Sequence, residues 1–165
     1  MGLNREEFLD NFEFVFSEFF EGPPAGAGGT VALDRTGSWR HTLEQLSAAE
    51  ASRPAFPGAT TVAAQVAHTT YYLTNSVRYI VPDGDKTTPG DWSGSWVKSV
   101  VTESEWRASI AALFAAYEQI KDTVRGLESW DGDSTGLAFG VLAHSAYHLG
   151  AVRQLVKALK AAAAG

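Results

Sequence analysis

Two histidines, His144 and His148, stand four residues apart in the string LAHSAYHLGAVRQL. At about 100° per residue, side chains four apart lie on one helix face, one turn above the other. The apolar stripe around them reads Leu137, Val141, His144, His148, Val152, Leu155 and Leu159, so both imidazoles occupy positions that belong to a core seam. An unsatisfied buried polar group costs about 1–3 kcal/mol. Two adjacent imidazoles in an apolar seam cannot both be charged, because desolvation and like-charge repulsion act together. A divalent cation resolves both demands by accepting the lone pairs of neutral rings. The alternative is a pair of ordinary core histidines satisfied by Tyr or Ser hydroxyls. Ser145, Ala146 and Tyr147 lie between the pair, so the H-E-x-x-H metalloprotease motif and its catalytic Glu are missing.

Two ligands make a weak site, and a third is expected from another helix. The candidates are His41 and His68. His41 sits in the short polar stretch Ser-Trp-Arg-His-Thr, where exposure or a capping role is expected, whereas His68 sits mid-helix in AAQVAHTTYYL beside an apolar stripe. His68 is therefore assigned as the third ligand. Histidine-only ligation suits zinc, nickel or iron(II). Di-iron carboxylate sites need Glu-x-x-His pairs, which the chain lacks, and a bis-histidine haem would leave one histidine idle. Three protein ligands would leave a fourth position for water or substrate, the arrangement of a catalytic rather than a closed structural site. Tyr72 and Asn75 continue the face of His68 and are the candidates to hydrogen-bond a bound ligand or water; packing is the competing role for Tyr72. No general acid or base is identifiable. Tyr147 should face away from the seam, towards a packing or dimer surface. Trp92 and Trp96 are expected to anchor a loop to the helices or to wall a pocket mouth, and Gly140 and Gly150 to allow close helix approach.

The elements that must position these groups are all helical by pattern. Asn4 and Glu7 have capping-box spacing ahead of Phe8, Leu9, Phe12, Val15, Phe16, Phe19 and Phe20, and Gly22-Pro23-Pro24 stops that helix. GPPAGAGGT is a loop by composition. A short helix is predicted over Ser38 to Leu46, with Ser47 and Glu50 capping a further turn. A long one follows from Thr60 or Thr61 to Val81 on the stripe Val62, Val66, Thr69, Leu73, Val77 and Ile80. Pro82 to Val101, rich in Gly, Pro, Asp, Ser and Thr, is long enough to be a crossover. Thr102 and Glu105 cap the next helix, whose seam Trp106, Ile110, Leu113, Tyr117, Ile120, Val124 and Leu127 alternates steps of four and three. The last helix is predicted from about Thr135, with Ala161 to Ala164 fraying. The expected fold is an all-α four-helix bundle forming a single domain over residues 1–165, with a long crossover between its second and third long helices.

Composition narrows the partners. A formal net charge of −6 with no Lys/Arg cluster disfavours nucleic acid and anionic membranes. The absence of cysteine excludes disulfides, thiolate ligands and a cysteine nucleophile. The opening Met-Gly-Leu-Asn-Arg-Glu-Glu lacks a secretory pattern and no run is long enough to span a membrane, so a cytoplasmic location is expected.

Helix two as TVAAQVAHTTYYL, helix four as LAHSAYHLGAVRQL, and Ser-Ala-Ala-Glu-Ala-Ser after Leu46 resemble the DinB/YfiT-like superfamily, from about Thr36 to Leu159. The specific part is His-x-x-x-His-x-Gly-x-x-x-Gln, which here is His144, His148, Gly150 and Gln154. The resemblance implies a four-helix bundle of atypical helix order with a long second connection, and a three-histidine site at His68, His144 and His148. Gln65 stands where some members carry a further histidine, which points to a supporting role. The Phe-rich N-terminal helix reads as an elaboration, or a split, of the family's first helix. Characterised members include metal-dependent transferases that join low-molecular-weight thiols, such as bacillithiol or mycothiol, to electrophiles, and a thiol-dependent isomerase. The resemblance thus implies a metal-dependent transferase or hydrolase with one divalent metal ion, a small-molecule substrate and a low-molecular-weight thiol cofactor; Zn, Ni or Fe is the metal expected from the donor set, and a homodimer is the expected assembly. The alternative is a non-catalytic, dimerising metal- or ligand-binding bundle.

Overall fold

Three capping boxes written into the sequence open three of the helices. Asn4 accepts from the Glu7 amide at the start of α1 (Arg5–Glu21), and Glu7 returns the bond to the Asn4 amide. Ser47 and Glu50 do the same for the short α3 (Ala48–Ala51), and Thr102 and Glu105 for α5 (Glu103–Gly126). Each box satisfies amides that a helix start leaves unpaired. Ser38 caps the short α2 (Trp39–Leu43), and Thr61 caps α4 (Val62–Ile80). The computed structural model describes residues 4–27, 29–34 and 37–164, and every regular element among them is helical. Met1 to Leu3, Gly28 of the GPPAGAGGT loop, and Thr36, where the family resemblance begins, lie outside the described residues.

Three boundaries differ from the sequence reading. The last helix, α6 (Gly132–Ala164), starts before Thr135 because Asp131 caps it: its carboxylate accepts from the Ser134 amide at 2.7 Å, and the Ser134 hydroxyl accepts from the Asp131 amide at 2.9 Å. The alanine tail is helical to Ala164 rather than frayed, in keeping with alanine's first rank among helix formers. The single helix expected over Ser38 to Leu46 ends at Leu43, before Ser47 starts α3.

The four long helices form a ring in which α1 packs on α5 and α6, and α4 packs on the same two from the other side. Their directions follow from the bonds between them. Arg5, at the start of α1, donates to the carbonyls of Arg125 and Leu127 at the end of α5, so these two helices are antiparallel. That guanidinium also satisfies carbonyls which a helix end leaves open. The Phe8 ring meets Trp130 at 4.8 Å and Phe139 at 6.1 Å between centroids, which sets α1 parallel to α6.

The segment from Pro82 to Val101 runs back along the whole of α4. Trp92 packs on Tyr71 and Tyr72, Ser95 bonds His68, and the Ser99 carbonyl accepts from Thr61 Oγ1 at the first turn of α4. A 19-residue helix is about 28 Å long, and the loop with its short 3-10 turn at Gly94–Trp96 retraces that length. The expected crossover is thus present, and it makes α4 and α5 parallel neighbours.

The core is the set of stripes read from the sequence. Phe12, Phe16, Phe19 and Phe20 of α1, Val62, Val66, Leu73 and Ile80 of α4, Trp106, Leu113, Tyr117, Ile120 and Val124 of α5, and Val141, Val152 and Leu159 of α6 are all buried. Phe20 stacks on Tyr117 with ring centroids 4.4 Å apart, so the Phe-rich helix is one wall of the ring and not an appendage. The chain after α1 is tied down by Glu18. Its carboxylate is buried at 2% exposure and accepts the amides of Val31, Ala32 and Leu33 at 2.6–2.8 Å. Burial would raise its pKa, and the three amide bonds outweigh it, leaving the carboxyl below its ordinary value. No helix among the described residues is long and apolar enough to cross a membrane.

Candidate metal centre

His68 on α4 and the pair His144 and His148 on the antiparallel α6 meet in the seam between those helices. One ring nitrogen from each lies within 4.8 Å of the others. Ring centroids are 4.3 Å apart for His144 and His148, 4.8 Å for His68 and His148, and 5.3 Å for His68 and His144. The i, i+4 spacing on α6 stacks the pair, and the capped, uninterrupted α4 delivers His68 from across the seam. No Asp or Glu joins the cluster among the described residues. The assignment of His68 over His41 agrees with this geometry, since His41 is exposed on α2.

His68 and His148 are 7% and 3% exposed and His144 is half-buried, which disfavours the charged form of each ring. Burial lowers the pKa of His68. Burial and then the His68 ring bring His144 down to about 4. Burial, followed by the His144 and His68 rings, brings His148 down to about 3. All three rings are therefore neutral near pH 7, the state in which imidazole is a ligand.

Two of the rings are held from behind. His148 Nδ1 lies 2.7 Å from Gln65 Oε1, and the Gln65 amide nitrogen donates to Thr60 Oγ1 at 2.8 Å. Gln65 thus has the supporting place that the resemblance pointed to. His68 Nδ1 lies 2.8 Å from Ser95 Oγ, and the Ser95 hydroxyl donates to the Trp92 carbonyl at 2.6 Å. Trp96 stacks on the far face of His68, 3.9 Å between centroids at 15°. Trp96, expected to anchor the loop or to wall a pocket mouth, is anchored on a site histidine. Ser95 went unnoticed, because nothing in a 27-residue separation marks a loop serine as the partner of a helix histidine.

His144 is held differently. It stacks on Tyr72, with centroids 3.5 Å apart at 10°, and its Nε2 is buried with no hydrogen-bond partner among the described residues. An orphaned buried nitrogen costs free energy unless something accepts its lone pair. This observation fits a cation at the centre, and it weighs against histidines satisfied by Tyr or Ser hydroxyls. The donor set fits as well: three neutral nitrogens, second groups holding two of the rings, and no carboxylate.

Tyr72 lies at the site through that stacking, and burial pushes its hydroxyl pKa up. Asn75, one turn further, accepts from Arg78 Nε at 3.0 Å, while its own Nδ2 is buried and unpartnered. Gly140 faces Tyr72: a Cβ there would come 3.1 Å from the Tyr72 hydroxyl, so this glycine does allow close approach of α6 to α4. Gly150 does not. It is exposed, and an added Cβ would meet nothing within 4 Å, so the expectation of close packing there is corrected. Tyr147 faces outward at 72% exposure.

Comparison with known proteins places this arrangement. The family model for the DinB superfamily matches residues 34–152, which include α2 to α5, all three histidines, Gln65 and Ser95. The chain belongs to the DinB superfamily. Neither the curated proteins nor the solved structures contain a match to it. The DinB match begins after α1, so the helix that closes the ring beside α5 and α6 is carried by sequence outside the family region.

Proposed function

We propose that this DinB protein holds one divalent metal ion through His68, His144 and His148 and is a metal-dependent transferase or hydrolase of small molecules, with transfer to or from a low-molecular-weight thiol as the favoured chemistry. The observation that carries the reading is the convergence of three neutral imidazoles with no Asp or Glu beside them among the described residues, an arrangement that would leave a coordination position for an exogenous ligand. Zinc, nickel and iron(II) all suit such nitrogens. The ion, when bound, would lower the pKa of a water or thiol placed on it. The chain's own residues do the rest. Burial keeps the rings unprotonated, Gln65 and Ser95 hold two of them, and Tyr72 covers the third. Asn75, one turn beyond Tyr72, keeps a buried amide without a partner and is proposed to support the site from behind that tyrosine.

The test is elemental analysis of the purified protein followed by thiol-transfer assays on electrophiles. Near-stoichiometric metal that is lost in His148→Ala, together with loss of turnover, is the expected result. Turnover retained in the metal-free variant would overturn the enzyme reading, and wild-type protein without metal would overturn the site.

A second copy of the chain is the partner that the outer face of α6 favours. Phe139 and Tyr147 are 58% and 72% exposed on it, and the 19 residues from Ser134 to Val152 carry no Asp, Glu, Lys or Arg. Two such helices crossing antiparallel at Ala143 would set Phe139 of one copy against Tyr147 of the other, a self-complementary contact. Sedimentation that shows a dimer in the wild type and a monomer in Ala143→Glu supports it; a wild-type monomer removes it.

A further inference from the structure

Gln65 and Ser95 do more than touch the site: the hydrogen-bond inventory around them dictates which nitrogen of each ring carries its proton. We propose that they are the positioning residues of the metal centre, holding His148 and His68 as Nδ1–H tautomers so that both rings present a bare Nε2 to the shared ion. The proposal rests on the metal reading above.

The His68 tautomer follows from the protons available around its Nδ1. A serine hydroxyl has one, and Ser95 spends it on the Trp92 carbonyl at 2.6 Å, since a carbonyl can only accept. The Ser95 oxygen is then left as acceptor towards His68 Nδ1 at 2.8 Å, and the ring must donate. For His148 the partner at 2.7 Å is Gln65 Oε1, also an acceptor, with the amide nitrogen turned away to Thr60. A neutral imidazole that donates through Nδ1 has its lone pair on Nε2. An acceptor behind the ring also fixes its rotation and raises the basicity of the ligating nitrogen. The two supports are independent. Gln65 lies on α4 one turn before His68 and reaches across the seam to α6, whereas Ser95 comes from the crossover loop, beside the Trp96 that stacks on the same ring. His144 has no such support, so its placement depends on Tyr72 and the ion.

Nitrogen–proton correlation spectra of the imidazoles in metal-free protein read the tautomers directly. The expected result is protonated Nδ1 and bare Nε2 for His68 and His148. Zinc affinity, measured by competition with a chromophoric chelator, should fall about 10–100-fold in Gln65→Met and in Ser95→Ala. It should be recovered in Gln65→Glu and Ser95→Thr, which keep an acceptor at each place, and recovery separates positioning from a general packing defect. A proton on Nε2 of either ring in the wild type, or Gln65→Met and Ser95→Ala both binding zinc as tightly as the wild type, overturns the proposal. Wild-type protein that binds no zinc, nickel or iron overturns the metal reading instead, and the two failures are told apart by the spectra of the metal-free chain.

Discussion

Acidification of the metal-free protein from pH 7 to pH 5 should weaken the fold, and His148 sets the size of the effect. Its folded-state pKa is about 3, against an ordinary value of 6.5. A histidine whose pKa is depressed by folding takes up its proton in the unfolded chain first, so stability is lost as pH falls below 6.5 and the loss stops growing only below about 3. At pH 5 the unfolded chain has gained 1.5 pH units of protonation that the folded chain lacks, which is about 2 kcal/mol at 1.36 kcal/mol per unit. His144, brought down to about 4, and His68, also lowered, push the same way. Domains of this size are held by about 5–15 kcal/mol, so the change is readily measured. Carboxylates held low in the folded state, Glu18 among them, weaken the fold only as pH drops through the carboxylate range, below this window. The assay is urea denaturation of chelator-treated protein at half-unit steps between pH 7 and 5, beside His148→Gln, which keeps a neutral hydrogen-bonding group and removes the titration. The wild-type slope should approach 1.4 kcal/mol per pH unit for each silenced histidine, and the variant should lose one such share. Equal slopes in the two proteins would refute the burial argument for His148.

Other consequences are as direct. Because His144 and His148 stay unprotonated in the folded chain down to about 4 and 3 and burial lowers His68 as well, metal affinity of the folded protein should fall less between pH 7 and 5 than for three ordinary imidazoles, and a chelator competition showing the full three-proton loss there would contradict the geometry. Removing the Glu18 carboxylate as Glu18→Ala strands the buried Leu33 amide, releases those of Val31 and Ala32, and should cost about 1–3 kcal/mol by denaturant midpoint, whereas Glu21→Ala, which breaks an exposed pair with Arg40, should cost at most about 1 kcal/mol. Gly150→Ala enters open space on a helix and should stabilise by up to about 1 kcal/mol, while Gly140→Ala presses on the Tyr72 hydroxyl, should gain less, and should disturb the His144 ring signals.

The helices were legible from the chain because their signals are local. A cap such as Thr102 with Glu105, or a four-three seam such as Trp106 to Leu127, is complete within one element. The histidine triad is legible because two histidines share one face and the third interrupts another apolar helix. The failures share a cause as well. Gly150 reads as a packing glycine because spacing cannot say whether the neighbouring face is covered, and among the described residues nothing lies within 4 Å of where its Cβ would be. The start of α6 lies earlier than its pattern suggests because Asp131 and Ser134 cap one another from inside what reads as a polar turn. Ser95 was invisible because its meaning comes from where the crossover lies on α4, a long-range matter that no window of sequence contains.

The boundary between family region and remainder does not coincide with a boundary in the packing. A fragment cut to residues 34–152 would retain all three clustered histidines and yet open a trough along α5, where Tyr117 and Phe114 now lie against Phe16 and Phe20. It would also forfeit the guanidinium of Arg5 at the exit of α5 and the final turns of α6. The unit that inheritance has marked out is smaller than the unit that can keep water away from its own aromatic rings.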